Sequence, residues 1–164
     1  MALGVDYTRQ DCSLARALET VGERWTLLIL RDSVFGVRRF TDFQVHLDIS
    51  KAVLTTRLTS LVDDGLLVKT GEEYLPTDDA LALWPALVAL TSWAERRSPN
   101  GPRRVFTHAD CGTDLDAGRC PRCEVSPTPD RVDMRAGPGA DPAIRSDMIS
   151  VALRSPRRLL TPFR

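Results

Sequence analysis

The chain has 164 residues, is 43% hydrophobic and carries 22 basic against 22 acidic side chains. That length suits one domain of about 100 residues with an appendage, and the apolar content excludes disorder throughout. Charge is unevenly divided, with 11 basic against 14 acidic residues in 1–98 and 11 against 8 in 99–164; bulk charge therefore does not mark a nucleic-acid binder, and such a reading must rest on local placement.

Leu14, Ala15, Leu18 and Val21 recur at helical spacing and predict a first helix over Cys12 to Val21. Gly22 then stands where a helix end favours a residue tolerant of positive φ. Glu23 to Phe35 is apolar on more than one face, which predicts a buried central helix ended by Gly36. Phe40, Phe43, Val45 and Leu47 mark a short third helix, and Asp48-Ile49 turns into a fourth. Ser50 is its N-cap, because the hydroxyl can accept an orphan backbone N–H. In that fourth helix, Ser50 to Asp64, Leu54, Leu58, Leu61 and Val62 share one side. The other side is small and acid-free as far as Asp63, so it can enter a major groove without electrostatic penalty. Two strands, Leu66 to Thr70 and Glu73 to Thr77, joined by Gly71-Glu72, predict a wing.

The order of these units is that of a winged helix-turn-helix, mainly α with a small β-wing. The candidates for base edges are Lys51, Thr55, Thr56 and Thr59, with Ser50 and Ala52 as further DNA-binding candidates at the helix start. Arg38, Arg39 and Arg57 flank the helix as candidates for phosphate, with Lys69 the cation left to a short, partly acidic wing. Arg57 has an alternative, pairing with Asp42 or Asp63. Thr77 to Ser98 reads as one long helix or two end-to-end pieces divided at Pro85. It is apolar over more than half its circumference, which a small monomer cannot cover and a homodimer can.

Cys12-Ser13-Leu14-Ala15-Arg16-Ala17-Leu18, Val21-Gly22-Glu23-Arg24-Trp25, Gly36-Val37-Arg38-Arg39-Phe40 and Leu54-Thr55-Thr56-Arg57-Leu58 carry a resemblance. Over residues 8 to 98 the chain resembles the HxlR family of bacterial transcriptional regulators. The resemblance implies a homodimer that binds double-stranded operator DNA in the bacterial cytoplasm, at the nucleoid. It also implies a second use for Cys12, since some members sense oxidants or electrophiles with a cysteine near this position. A small-molecule or electrophile effector is accordingly among the expected partners. A small buried thiol under the first helix is the alternative for Cys12.

The second constellation is His108-x2-Cys111-x8-Cys120-x2-Cys123. Two chelating pairs joined by a short loop are what tetrahedral structural zinc requires, and the metal would stabilise a segment poor in core residues. A metal-free set of thiols and a Cys120–Cys123 redox pair are the alternatives. The order His-x-Asp followed by Cys-x-x-Cys is superficially that of a zinc deaminase. Asp110 is too short for the shuttling Glu, however, and Cys111 would close the site, so no catalysis is assigned. Residues 99–125 are expected as a zinc-ribbon-like extension. Residues 126–164 are expected as flexible linker and basic tail, four arginines from Arg154 onward adding phosphate contacts, or Met148 to Leu153 forming a short strand.

No apolar run approaches the roughly 20 residues of a membrane span, and no membrane partner is expected. The expected activity is a repressor on a palindromic operator. A winged-helix adaptor that binds a protein partner without reading DNA is the rival.

Overall fold

The computed structural model describes Tyr7 and residues 10–163; the boundary expected at residue 8 and the last tail arginine, Arg164, lie outside them. In chain order the described elements are α1 (Ser13–Val21), α2 (Thr26–Phe35), α3 (Phe40–Leu47), α4 (Lys51–Asp63), β1 (Leu67–Thr70), β2 (Glu73–Pro76), α5 (Asp78–Ala82) and α6 (Trp84–Glu95). An extension follows with β3 (Arg104–His108), β4 (Thr113–Asp114), β5 (Val132–Ala136), α7 (Met148–Ala152) and β6 (Arg157–Arg158). β1 and β2 make an antiparallel hairpin, and the other strands form one antiparallel sheet in the order β4-β3-β5-β6.

α2 is the centre of the first region, as its all-round apolar pattern predicts. Ile29, Leu30, Val34 and Phe35 are buried, and Phe43, Leu54, Leu58 and Leu61 close over them from α3 and α4. Each such side chain contributes about 1.5–3 kcal/mol relative to exposure. Gly36 ends α2 at φ 103°, a conformation that disfavours any side chain. The turn between α3 and α4 is Asp48, also left-handed at φ 52°, and Ser50 caps α4 by accepting the Val53 N–H at 3.3 Å. Pro85 falls in the first turn of α6, where its missing N–H costs nothing, so the predicted long helix is two pieces.

Three expectations are corrected. Gly22 follows α1 at φ −75°, so it is not a left-handed cap. The second helix starts at Thr26 rather than Glu23, because residues 23–25 form a turn.

The third correction is the largest. Residues 126–163 are folded: β5 sits between β3 and β6, and Met148 to Ala152 is a helix rather than a strand. Residues expected in two separate segments are thereby hydrogen-bonded into one sheet, Phe106 pairing with Met134 across β3 and β5. Phe106, Val132, Met134, Ile149, Leu153 and Leu159 join the buried cluster of α2–α6. The chain end returns to α2, with Leu160 N–H donating to Val34 O at 2.8 Å and Phe163 N–H to Gly36 O at 3.3 Å. A Cβ on Gly36 would strike the Thr161 carbonyl, so the glycine also admits this segment.

Candidate DNA-binding face and metal centre

The helix-turn-helix places Lys51, Ala52, Thr55, Thr56 and Thr59 on the exposed side of α4, opposite buried Leu54, Leu58 and Leu61. Within the helix the Thr55 and Thr56 hydroxyls donate to the Lys51 and Ala52 carbonyls, at 2.8 and 3.1 Å. Hydroxyls satisfied within their own helix give α4 a self-contained polar surface whose rotors can turn outward to a base edge.

The flanking cations separate in the folded chain. Arg39 is exposed, and Lys69 is exposed on the wing with its ammonium 5.6 Å from the Tyr74 ring. Arg57 is half-buried and lies 3.6 Å from Glu23, not from Asp42 or Asp63.

Arg38 is not on the surface at all. It is 5% exposed and donates to the carbonyls of Ser33, Val37 and Leu160. Burial lowers its guanidinium pKa below the usual range, partly offset by Glu73. Its reading as a phosphate contact is corrected: it joins α2 to the chain end.

The tail arginines are engaged in the same manner. Arg157 lies 3.6 Å from the Phe163 ring, Arg158 pairs with Asp133 at 2.6 Å, and Arg154 donates to the carbonyls of Pro142 and Arg145. They brace the extension instead of forming a free arm for DNA.

His108, Cys111, Cys120 and Cys123 converge, one ligand atom from each lying within 4.8 Å of all the others. The hairpin β3–β4 supplies His108 from the end of β3 and Cys111 from its turn, and the 120–123 knuckle supplies the other two sulfurs. Cys111 Sγ lies 3.4 Å from His108 Nδ1 and 3.5 Å from Cys120 Sγ. Disulfide sulfurs would stand about 2 Å apart, whereas two thiolates on one tetrahedral zinc at about 2.3 Å stand nearly 4 Å apart. The Cys123 N–H donates to Cys120 Sγ at 3.4 Å, as in a metal-binding knuckle.

A second layer orients the histidine. Asp110 Oδ2 lies 3.4 Å from His108 Nε2, and Arg131 holds Asp110 at 2.5 Å. With Nε2–H given to a carboxylate, the Nδ1 lone pair faces the sulfurs. Thr113 hydrogen bonds pull the Cys111 thiol down to about 6, and bonding to Cys111 pushes Cys123 up to about 11. It is the convergence of one imidazole nitrogen and three sulfurs that fits a four-coordinate ion. In the sequence Asp110 stands only where a proton shuttle would need a longer Glu; nothing in the spacing shows its positioning role, which depends on Arg131 arriving from before β5.

Cys12 is exposed as the N-cap residue of α1 and caps nothing with its side chain. The buried alternative for this thiol is therefore not what the fold adopts. Leu14 and Leu18 on α1 and Leu90 and Trp93 on α6 are also exposed, at 65, 40, 52 and 55%.

The HxlR-like helix-turn-helix family matches residues 20–102 of this chain, from the end of α1 through the turn after α6. HTH-type transcriptional regulators of Mycobacterium bovis and Mycobacterium tuberculosis are 39% identical over 137 residues, covering 77% of this chain and 87% of theirs. The HTH-type regulator YdeP of Bacillus subtilis is 28% identical, covering 57% of this chain and 82% of its own. The crystal structure of PA1607, titled as a transcription-factor candidate, superposes with a TM-score of 0.61 at 31% identity over 80% of this chain and 89% of that one.

The chain belongs to the HxlR-like family of helix-turn-helix transcriptional regulators, whose relatives are regulators and not enzymes. Coverage of 77% cannot fit within residues 1–102, so the likeness to the mycobacterial relatives continues into the extension.

Proposed function

We propose that the protein represses transcription as a homodimer, laying α4 of each subunit into successive major grooves of a palindromic operator in the bacterial cytoplasm. The observation that carries this reading is the acid-free face of α4, exposed directly after a helix-turn. Lys51, Thr55, Thr56 and Thr59 would meet base edges, with Ser50 and Ala52 at the helix start, and Arg39, Arg57 and Lys69 would meet phosphates. Four large apolar side chains left exposed on α1 and α6 support a partner subunit, since such side chains are what a second copy would cover.

Zinc held by His108 Nδ1, Cys111, Cys120 and Cys123 is proposed as structural. When bound it would cross-link β3, the β4 turn and the knuckle.

Fluorescence anisotropy with the protein's own upstream DNA tests the main reading. Thr56→Glu should lower specific affinity at least tenfold with an unchanged circular dichroism spectrum, because a carboxylate would face groove acceptors and phosphates. Wild-type protein that does not prefer this DNA over random duplex would overturn operator reading in favour of a protein-binding adaptor. A single-chain mass at micromolar concentration would overturn the dimer.

A further inference from the structure

A cavity of about 700 Å³ lies between the helix-turn-helix region and the extension, within the size range of small-molecule sites. Its apolar floor is Phe35 of α2, Phe106 of β3 and Leu153 after α7, with Ala94 of α6 at the side. The Phe35 and Phe106 ring centroids are 6.4 Å apart and tilted by 43°, so the cavity is lined by the parts of two inclined rings that packing leaves uncovered.

The walls are cationic. Five arginines line the space against two acids, Glu95 and Asp141, and both acids already serve backbone groups. Glu95 Oε1 accepts the N–H groups of Arg103 and Arg104 at 3.1 and 3.4 Å, and Asp141 Oδ1 accepts that of Ala143 at 2.8 Å. Arg145 and Arg154 are tied to Asp147 and to loop carbonyls.

Arg31 and Arg104 differ from these. Arg31 gives Nε and Nη2 to Asp32 Oδ1, at 2.9 and 2.6 Å, and lies 5.7 Å from the Phe35 ring; its Nη1 has no partner among the described residues. Arg104 is half-buried, and its guanidinium makes no ion pair or side-chain hydrogen bond among the described residues. Burial first, and the nearby Arg31 second, lower its pKa. Two guanidiniums lining one cavity beside two phenyl rings, one of them half-buried with no acid bonded to it among the described residues, present N–H donors that an anion can accept.

We infer that this cavity binds a small aromatic carboxylate, its ring on Phe35 and Phe106 and its carboxylate on Arg104 and the free Nη1 of Arg31. The site also has a path to the helix-turn-helix. Asp32, held by Arg31, accepts from or pairs with His46 Nδ1 of α3 at 2.7 Å, and α3 leads directly into α4. A ligand on Arg31 would therefore bias the arrangement of α2, α3 and the extension by as much as its affinity differs between their arrangements. That consequence for DNA rests on the operator-binding reading; the binding itself does not.

Isothermal titration of the full chain with 2-naphthoate tests the site, with 2-naphthol as the neutral isostere and decanoate as the non-aromatic anion. One saturable site per chain is expected, with at least a tenfold loss for naphthol and for decanoate. Arg104→Gln should lose at least tenfold in naphthoate affinity, and Ala94→Trp, which narrows the side of the cavity and leaves every arginine in place, should weaken binding. The thermal midpoint of each unliganded variant reports its fold separately. No saturable binding to the wild type, equal affinity in folded Arg104→Gln, or decanoate binding as tightly as naphthoate would each overturn the proposal. Ligand-free DNA anisotropy stands apart, so failure of either reading is recognised on its own.

Discussion

The helix-turn-helix region and the extension share one buried core yet are held by different means. In the first, α2 is buried around most of its circumference, and α3 and α4 pack on it with long aliphatic side chains at helical spacing. The extension has short strands, many turns and few core residues for its length. It is secured by a Cys/His cluster, by arginines bonded to carbonyls and by Phe106, Met134 and Leu159 reaching into the neighbouring core. Burial scales with apolar area, whereas ligand clusters and straps act at single points. The extension should therefore fail at identifiable single residues and the first region should not.

Removing one cysteine of the Cys/His cluster is the strongest way to break that comparison. Cys120 is fully buried. Cys120→Ser should eliminate bound zinc and cost several kcal/mol, a fall of roughly 10 °C in Tm for a chain of this size. Hydrogen exchange should show protection lost across 104–136 and kept in α4. Metal analysis of wild-type protein purified under reduction should give one zinc per chain; its absence would leave the extension held by packing alone.

The seam between the regions should respond next. Arg38→Ala removes the guanidinium donor from the carbonyls of Ser33, Val37 and Leu160, of which Ser33 keeps the Gly36 N–H, at a cost of about 2–3 kcal/mol for the buried groups left unpaired. Denaturant unfolding measures that loss. The salt dependence of DNA binding should stay unchanged, where loss of a true phosphate contact would reduce the slope by about 0.9.

The smallest effect is expected at the cap of α7. Burial acts to raise the Asp147 pKa, but hydrogen bonds from the Ser150 hydroxyl and N–H, with the Arg145 pair, outweigh it and hold the carboxyl at about 2. A carboxyl lower in the folded state than its ordinary 3.8 stabilises the fold above that value and loses the contribution as pH falls toward 2. Asp147→Asn should cost about 1 kcal/mol at neutral pH, the usual worth of a cap. Thermal midpoints of the two proteins should converge between pH 3.8 and 2.

How far each region could be read follows the same division. α1 to α4 and the wing follow their apolar periods because a helix packed on one core repeats its buried side every three or four residues. The ligand set was legible for another reason: H-x2-C and C-x2-C are local chelates whose spacing alone brings the donors together. β5 to β6 carry no such signal. Met148 to Leu153 is a short apolar run that suits a strand or a helix equally, and Asp147, capping Ser150, decides for the helix.

The sequence by itself determined the helix-turn-helix, the acid-free face of α4 and the four donors of the Cys/His cluster, since each depends on residues close in the chain. Only the tertiary structure decided what the arginines do. Arg38 and Arg39 are neighbours of identical chemistry, and one is buried because the carbonyl of Leu160, 122 residues away, comes to meet it. Arg31 and Arg104 stand beside the same cavity because β3 packs against α2 through Phe35 and Phe106. A charged side chain has no period that reveals its partner, so its role is set by whatever the fold carries to within a few ångströms of it.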